Sequence, residues 1–237
     1  IEANGNLAGR TLEQSRSNDF YTNASKAELI FTKNAKKGFF KNTTTWNGFW
    51  NNDRGFSSLD TNIAAQTIFG NQSLSSPSGS FQNSLSTIIP WKDKLVNVMS
   101  YFKYQRDKQN MEVNPASYTD YFTGVTSSGY DTYRQSALSE TLEVNHSASV
   151  GFTYKKLTII PEIGLNMNFN NLKSILSGSS DGTYYSLAGD NQNNVDWNEL
   201  TPYTQVSFNY KGERLNLNLT VPMNFYSIKY QDNLYNQ

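Results

Sequence analysis

The stretch LSETLEVNHSASVGF, Leu138–Phe152, alternates between two kinds of residue. One set of alternate positions is mostly aliphatic, with Leu142 and Val144 as examples and Glu140 as the single charge. The positions between them hold serine, threonine, asparagine and glutamate. A period of two residues is typical of a β-strand with two unlike faces. The stretch also exceeds the five or six residues, roughly, of a soluble strand and reaches the roughly 9–11 that a tilted strand needs to cross a bilayer.

The same alternation recurs along most of the chain and predicts eight long strands. Two further clear examples surround Ile159 and Leu217, where apolar residues alternate with asparagine and threonine. The predicted strands are 21–33, 38–50, 80–90, 95–106, 132–154, 157–176, 199–211 and 214–231, and residues 1–12 are a candidate for an earlier strand.

The connections between these strands fall into two classes that alternate strictly. Short, lysine-bearing turns are predicted near 33–38, 91–94, 154–157 and 211–214, and long polar loops near 51–79, 107–131 and 177–199. Transmembrane β-barrels have short periplasmic turns at one end and longer extracellular loops at the other. We therefore predict an all-β, antiparallel, up-and-down transmembrane β-barrel with 8–9 strands over residues 1–237. Because the last strand runs toward the loop end, we expect these strands to be part of a larger barrel.

Composition excludes several other classes of protein. The chain has 20 basic and 20 acidic side chains, so no basic surplus attracts nucleic acid. It has no cysteine, which excludes a disulfide scaffold and cysteine-ligated metals. No apolar run approaches the roughly 20 residues of a membrane helix, and mean hydropathy is −0.62. Yet 14% of the residues are aromatic, which indicates a folded chain rather than a disordered one.

The segment GFFKNTTTWNGFW, Gly38–Trp50, has aromatic residues at both ends and a polar centre. Phe40 and Trp50 are separated by about 34 Å of strand, which rises about 25 Å at a tilt near 40° and so matches the apolar band between a barrel's aromatic girdles. Either face of this strand could meet lipid, or a protein neighbour could shield it. The predicted membrane-interface aromatics of the whole chain are Phe40, Trp46, Trp50, Trp91, Tyr101, Tyr104, Tyr154 and Tyr210.

Three runs resemble hairpins of a known family. SKAELIFTKNAKKGFFKNTTTWNGFWNNDRG (25–55), LSTIIPWKDKLVNVMSYFKYQRDKQ (85–109) and LTPYTQVSFNYKGERLNLNLTVPMNFYSIKY (200–230) are similar to barrel hairpins of Bacteroidota-type TonB-dependent receptors, which often carry a carboxypeptidase-regulatory-like domain. The resemblance implies a non-enzymatic protein of the bacterial outer membrane that takes part in uptake of a nutrient or ligand. Its implied partners are outer-membrane lipid and, in addition, other outer-membrane proteins or surface lipoproteins.

Two alternatives to uptake remain open at this stage. No plug domain and no TonB box are recognisable in the chain, which favours a structural or accessory barrel subunit of a larger outer-membrane complex. A secreted, soluble β-sandwich binding module is the second alternative, because the chain is so polar. Membrane fractionation would separate the second alternative from the other two.

The sequence offers little chemistry. His146 is the single histidine, and Ser147 beside it points to the other face of its strand. The acidic residues of 177–185 and 189–197 lack the spacing of a calcium-binding loop. We therefore expect no enzymatic activity and predict no catalytic residues, no cofactor and no metal site. The ligand-binding residues stay unassigned.

Overall fold

The computed structural model describes residues 2–7, 10–35, 38–61, 66–114, 129–186 and 192–232, and in these ranges all regular structure is β-strand. No helix in the described part of the chain is both long and apolar enough to cross a membrane. The strands are β1 Glu2–Leu7, β2 Arg10–Ala35, β3 Gly38–Thr61, β4 Gln66–Trp91, β5 Lys94–Asn114, β6 Thr132–Val150, β7 Phe152–Tyr154, β8 Leu157–Ser179, β9 Tyr184–Ser186, β10 Gln192–Lys211, β11 Asn216–Asn224 and β12 Ser227–Asp232.

All of these strands belong to one antiparallel sheet with an up-and-down order. The order is β1-β2-β3-β4-β5-β6-β8-β10-β11, with β7 and β9 paired to β8 and β12 paired to β10. The register that joins β6 to β8 continues unchanged through β7, so β6 and β7 form one strand interrupted at Gly151. The register of β11 likewise continues through β12. The predicted all-β, up-and-down fold is confirmed.

The sheet is open within the described residues. On β2, the β1 side is paired only over residues 10–15, which leaves residues 16–35 with a partner on the β3 side alone. At the other end of the order, β11 and β12 pair only with β10. An open sheet with two free edges is the geometry of a barrel piece, because a closed barrel has no edge.

The strands extend further toward the long connections than the sequence indicated. The ladder between β3 and β4 runs without a register shift to the pair Thr61 and Gln66, through most of the loop predicted at 51–79. Residue Asn114 ends β5, inside the loop predicted at 107–131. Asparagine, serine and aspartate in these segments suggested loops, but backbone pairing needs no apolar side chain and only continues a register that the hairpin has set. Residues 62–65, 115–128 and 187–191 of the predicted loops lie outside the described residues.

The two faces of the sheet differ throughout its width. Directly opposed residues on neighbouring antiparallel strands share a face, so the register assigns every side chain to one of the two faces of the sheet. We call the face that carries Leu142, Val144 and Ile163 the apolar face, and the face that carries Glu143 and Asn145 the polar face. No second layer covers either one: among the described residues, Val113 and Tyr133 are the only buried hydrophobic side chains.

Candidate membrane-facing band and polar inner face

A continuous apolar band crosses the apolar face from β5 to β11. Its members remain exposed, Ile163 at 66% and Leu219 at 60%, because nothing packs against them. The residues that the register places in the band are Val96, Val98, Phe102, Tyr104, Leu142, Val144, Ala148, Phe152, Tyr154, Leu157, Ile159, Pro161, Ile163, Leu165, Met167, Phe169, Leu200, Pro202, Val206, Phe208, Tyr210, Leu217, Leu219, Val221 and Met223.

The height of this band fits a bilayer. From Leu157 to Phe169 on β8 the apolar face spans about 40 Å of strand, which rises about 30 Å at a tilt near 40°. The hydrocarbon core of a bilayer is about 30 Å thick, and the apolar band of barrels is about 25 Å tall. The long strands therefore have the length that spanning requires.

A row of polar side chains ends the band on the side of the long connections. Arg106, Glu140, Asn171 and Asp196 oppose one another on four successive strands of the apolar face. Arg106 Nε lies 3.4 Å from Glu140 Oε1, and Asn171 Nδ2 donates to Asp196 Oδ1. Charged groups are costly in hydrocarbon, so this row marks a boundary where the apolar environment ends.

Aromatic rings line the band just below that boundary. Trp46, Phe81 and Tyr104 oppose one another on β3, β4 and β5, and Phe169 continues the row beyond Leu142. The Tyr104 hydroxyl reaches out of the band and donates to Glu140 Oε1 at 2.7 Å. Amphipathic rings favour such a boundary. Phe81 and Phe169 were not among the predicted interface aromatics, although their phase in the alternation was a signal that could have identified them.

Most of the predicted interface aromatics lie on the apolar face. Trp46 and Tyr104 belong to the row below the polar boundary, and Trp50 contacts Trp46 with ring centroids 6.3 Å apart. At the opposite end of the band are Phe40, Trp91, Tyr154 and Tyr210, close to the short turns.

Tyr101 differs from the other seven predicted interface aromatics in the face that it occupies. It opposes Asn145 on β6 and Ser84 on β4, so it lies on the polar face, away from the band. The prediction rested on its residue type alone. Its neighbours Ser100 and Phe102 occupy the apolar face, and a strand sends adjacent side chains to opposite sides.

The segment Gly38–Trp50 turns its Phe40, Trp46 and Trp50 side to the apolar face. The polar residues between these rings are hydrogen-bonded to one another. The amides of Asn42 and Asn83 exchange two hydrogen bonds of 3.1 Å, and Asn83 Nδ2 also donates to Thr44 Oγ1 at 2.8 Å. We call Asn42, Thr44 and Asn83 the polar patch. It interrupts the apolar face on β3 and β4 but leaves few of its own polar atoms unpaired.

The polar face carries hydrogen-bonding groups across the whole sheet. One row runs from Thr45 through Gln82, Lys103, Glu143 and Asn168 to Glu199. Lys103 Nζ lies 3.7 Å from Glu143 Oε1, and Thr201 donates to Glu199 Oε1 at 3.0 Å. These groups can bind a polar solute or water but not an apolar one.

A shallow cavity of about 200 Å³ lies in this part of the polar face. Glu143, Asn145, Asn166, Asn168 and Glu199 line it, together with Met167 and Thr201. The buried Oδ1 atom of Asn168 accepts no hydrogen bond from the protein. A buried acceptor without a partner is costly, so a water molecule or a polar ligand group would stabilise it.

A second polar arrangement lies nearer the short turns on the same face. Glu162 accepts hydrogen bonds from the hydroxyl of Tyr203 at 2.9 Å and from Gln205 Nε2 at 3.0 Å. Both oxygens of the carboxylate are therefore held by side chains of β10. This network holds Tyr203 against β8 and restricts the rotamers of Glu162, Tyr203 and Gln205 on the polar face.

Beyond the polar boundary, a compact ionic cluster joins β5, β6 and β9. Arg134 Nη2 and Nε lie 2.8 Å and 3.2 Å from Glu112 Oε2, and the Tyr184 hydroxyl donates to the same oxygen at 2.9 Å. The Arg134 guanidinium stacks 3.6 Å from the centroid of the Tyr184 ring. Burial acts to raise the pKa of Glu112, but these two hydrogen bonds and the charge of Arg134 lower that pKa below its ordinary value. Burial and the bond to Glu112 raise the pKa of Tyr184.

His146 is exposed on the apolar face, where it opposes Ser100 and Leu165, and Ser147 faces the other way. The described residues contain no group of three or more histidine, aspartate or glutamate side chains that could hold a metal ion.

No protein-family model matches the chain, and no curated protein matches it. Among solved structures, the transport unit of the autotransporter AIDA-I from Escherichia coli is 10% identical, with 96% of this chain and 86% of that one covered and a TM-score of 0.23. The siderophore receptor PiuA from Acinetobacter baumannii is 7% identical over 94% of this chain and 44% of its own, with a TM-score of 0.31. The outer membrane transporter YddB from Escherichia coli is 10% identical over 94% and 35%, also with a TM-score of 0.31. The chain thus spans less than half the length of PiuA and of YddB, and these likenesses assign it to no family.

Proposed function

We propose that this chain forms part of a non-enzymatic outer-membrane β-barrel of the TonB-dependent receptor-like kind, which takes part in uptake of a nutrient or ligand. One observation carries the membrane assignment: the apolar band is continuous from β5 to β11, and no second layer covers it among the described residues. A soluble sheet must bury such a face against another layer. Burying a leucine-sized side chain is worth about 1.5–3 kcal/mol, so a face with this many exposed aliphatic residues requires an apolar surrounding.

The polar face supports a role in uptake. In a barrel whose apolar face meets lipid, the polar face lines the interior. Here that lining presents asparagine, threonine and glutamine groups together with charged side chains such as Lys103, Glu143 and Glu199, and the unpaired acceptor on Asn168 lies beside a cavity. Such a surface favours a polar solute over an apolar one. The resemblance of the three hairpins to receptor barrels adds the expectation that transport is active, with the energy-coupling parts supplied elsewhere.

Cysteine labelling of β6 tests the membrane assignment, and the cysteine-free chain gives a clean background. Single variants Leu142→Cys and Val144→Cys place thiols on the apolar face, and Glu143→Cys and Asn145→Cys place them on the polar face. In lipid vesicles, a membrane-impermeant maleimide should label the second pair and spare the first. Equal labelling of all four, or release of the protein from membranes without detergent, would overturn the assignment and favour the soluble sandwich.

Uptake itself needs a separate test. The double substitution Glu143→Ala, Glu199→Ala removes two side chains that line the cavity on the polar face and so widens the space beside it. Vesicles that contain the full-length protein with this double substitution should become permeable to small polar solutes. Retention of solutes by the widened variant in correctly inserted protein would contradict a solute path along this face.

The polar patch favours a second function, that of a structural subunit in a larger outer-membrane complex. Asn42, Thr44 and Asn83 lie on the apolar face between aromatic residues, where the hydrocarbon chains of lipid offer no hydrogen-bonding partner. Polar side chains inside membranes commonly contact other protein segments. A protein neighbour that covers this part of β3 and β4 would keep lipid away from these mutually hydrogen-bonded side chains.

Replacing the patch distinguishes the two functions. The double variant Asn42→Leu, Asn83→Leu should abolish co-purification of a partner after mild detergent extraction if protein covers the patch. The pair Thr43→Leu, Ser84→Leu is a matched control, because these residues oppose each other on the same strands but on the polar face. A wild-type protein that is extracted alone and is unaffected by the first variant would count against the subunit function.

A further inference from the structure

The zero net charge of the chain hides an uneven distribution along the strands. We define the turn rim as the basic side chains at the short-turn end of the sheet, which are Lys33, Lys41, Lys92, Lys94, Lys155, Lys156, Lys211 and Arg214. Among the described residues, the rim thus holds eight of the chain's 20 basic side chains, and the same ends of the strands hold two of its 20 acidic ones, Asp93 and Glu213.

The two acidic residues neutralise little of this charge. Asp93 lies 3.2 Å from Lys94, and Glu213 lies 3.5 Å from Lys156. The hydrogen bond from Lys94 lowers the pKa of Asp93, which keeps that carboxylate ionised. Within the described residues, the other six basic groups of the rim have no carboxylate within ion-pair distance.

Three rim lysines lie over aromatic rings at the lower end of the apolar band. Lys92 Nζ is 5.8 Å from the ring centroid of Trp91, Lys94 is 5.7 Å from that of Phe152, and Lys155 is 5.4 Å from that of Tyr154. Trp91 and Tyr154 are 57% and 73% exposed, so these rings present an apolar body beside a cation. This combination fits a boundary between hydrocarbon and charged headgroups.

The placement favours a surface as the partner over a compact epitope. The cations are spread over separate turns of the sheet, and each ring-contacting lysine borders the apolar band. An acidic protein would require charges gathered in one patch, whereas a leaflet of lipid headgroups follows the whole rim. Anionic leaflets attract basic residues at membrane boundaries.

We propose that the turn rim binds the phosphate groups of anionic phospholipids in the leaflet that faces the short turns. This inference rests on the proposed membrane-spanning function, because the rim meets headgroups only if the apolar band lies in a bilayer. The aromatic rings anchor in the interface, and the lysines beside them bind the phosphates.

Quenching of Trp91 by brominated lipids tests the proposal. In a variant with Trp46→Phe, Trp50→Phe and Trp197→Phe, and with any tryptophan outside these 237 residues also replaced by phenylalanine, Trp91 is the remaining tryptophan and reports on lipid at the rim. We expect brominated phosphatidylglycerol to compete better at this site than brominated phosphatidylcholine. The triple variant Lys92→Gln, Lys155→Gln, Arg214→Gln should lower this relative association constant by about fivefold or more.

The control removes three cations from the other border of the band. Lys108, Lys173 and Lys229 lie on the apolar face toward the long connections, and their combined replacement by glutamine should leave the preference intact. An unchanged preference in the rim variant, an equal loss in the control, or no preference in the parent would each overturn the proposal.

Two further measurements distinguish headgroup binding from failed insertion and from a soluble-anion site. Insertion into pure phosphatidylcholine vesicles is measured first, since failure to insert refutes the proposed function, whereas insertion without lipid preference refutes only the inference. Inorganic phosphate, compared with chloride at equal ionic strength, should not compete. Competition by free phosphate would identify a soluble-anion site and overturn the assignment to lipid.

Discussion

The ring of Tyr203 on β10 lies against the backbone of Gly164 on β8, directly across the ladder, and a Cβ atom at position 164 would overlap that ring. The hydroxyl of the same tyrosine is bonded to Glu162, two residues along β8. Glycine at this position therefore allows an aromatic side chain to lie flat on the polar face. Aromatic rings that cover a glycine across a ladder are one way in which sheets offset the weakness of glycine in strands.

Gly164→Ala should destabilise the protein by about 1–3 kcal/mol, because the added methyl group displaces the ring and strains its bond to Glu162. Urea unfolding in vesicles, followed by tryptophan fluorescence, measures the change. Gly79→Ala is the control, since its Cβ atom would lie 3.9 Å from the nearest carbonyl oxygen. If both substitutions had the same effect, the Tyr203 contact would not be the cause.

The ionic cluster beyond the band should make the ends of β5 and β6 sensitive to both acid and alkali. The pKa of Glu112 is lowered in the folded state, so its contribution to stability is present above the ordinary carboxyl pKa and is lost as pH falls through the folded value. The pKa of Tyr184 is raised, so its contribution is present below the ordinary value of 10.0 and is lost as pH rises through the folded value.

Hydrogen exchange of the amides near Glu112 and Arg134 is the measurement. Exchange should be slowest between the pH at which Glu112 becomes protonated and the pH at which Tyr184 loses its proton. Relative to amides inside the band, exchange should accelerate below the first pH and above the second. Glu112→Gln should remove the acid-side change, and Tyr184→Phe the alkaline one. An acid-side change that persists in Glu112→Gln would contradict the assignment of that change to this carboxylate.

Charge introduced on the two faces of β6 should have opposite consequences. Ala148 opposes Val98 and Ile163 within the band, so Ala148→Arg should cost about 2–4 kcal/mol, the penalty of a basic residue on a lipid-facing strand near the midplane. Asn145→Arg on the polar face should cost much less. The measurement is the free energy of unfolding of each variant in vesicles. Equal losses in Ala148→Arg and Asn145→Arg would mean that both faces have the same surroundings.

If this sheet is part of a larger barrel, as we propose, β2 and β11 should not lie next to each other, because other strands would separate them. Ala27→Cys combined with Leu219→Cys, Val221→Cys or Met223→Cys should therefore remain reduced under mild oxidation, since a disulfide requires Cα atoms about 4.4–6.8 Å apart. Thr43→Cys with Ser84→Cys, an opposed pair inside the sheet, should oxidise readily. A disulfide between the edges would show instead that these strands close on themselves.

Sequence reasoning placed side chains on the correct faces wherever the alternation was strong. From Leu142 to Val150 on β6 every second residue except His146 is apolar, as is every second residue from Leu157 to Phe169 on β8, and the register puts these residues on one face. Sequence reasoning was wrong where polar composition suggested a loop, as with residues 51–61. Residue type alone also did not indicate the face that Tyr101 occupies. An aromatic residue is compatible with either face, and a polar segment is compatible with either a loop or a strand, so neither type of residue decides the structure alone.

The sequence by itself determined the class of fold, because a period of two over long segments joined by alternately short and long connections allows few architectures. Only the tertiary structure decided which side chains meet. The pairing of Asn42 with Asn83, the cover that Tyr203 gives Gly164, and the lysines over aromatic rings at the turn rim all depend on register between strands. Register is set by long-range backbone pairing, and a shift of one residue would move every one of these side chains to the other face.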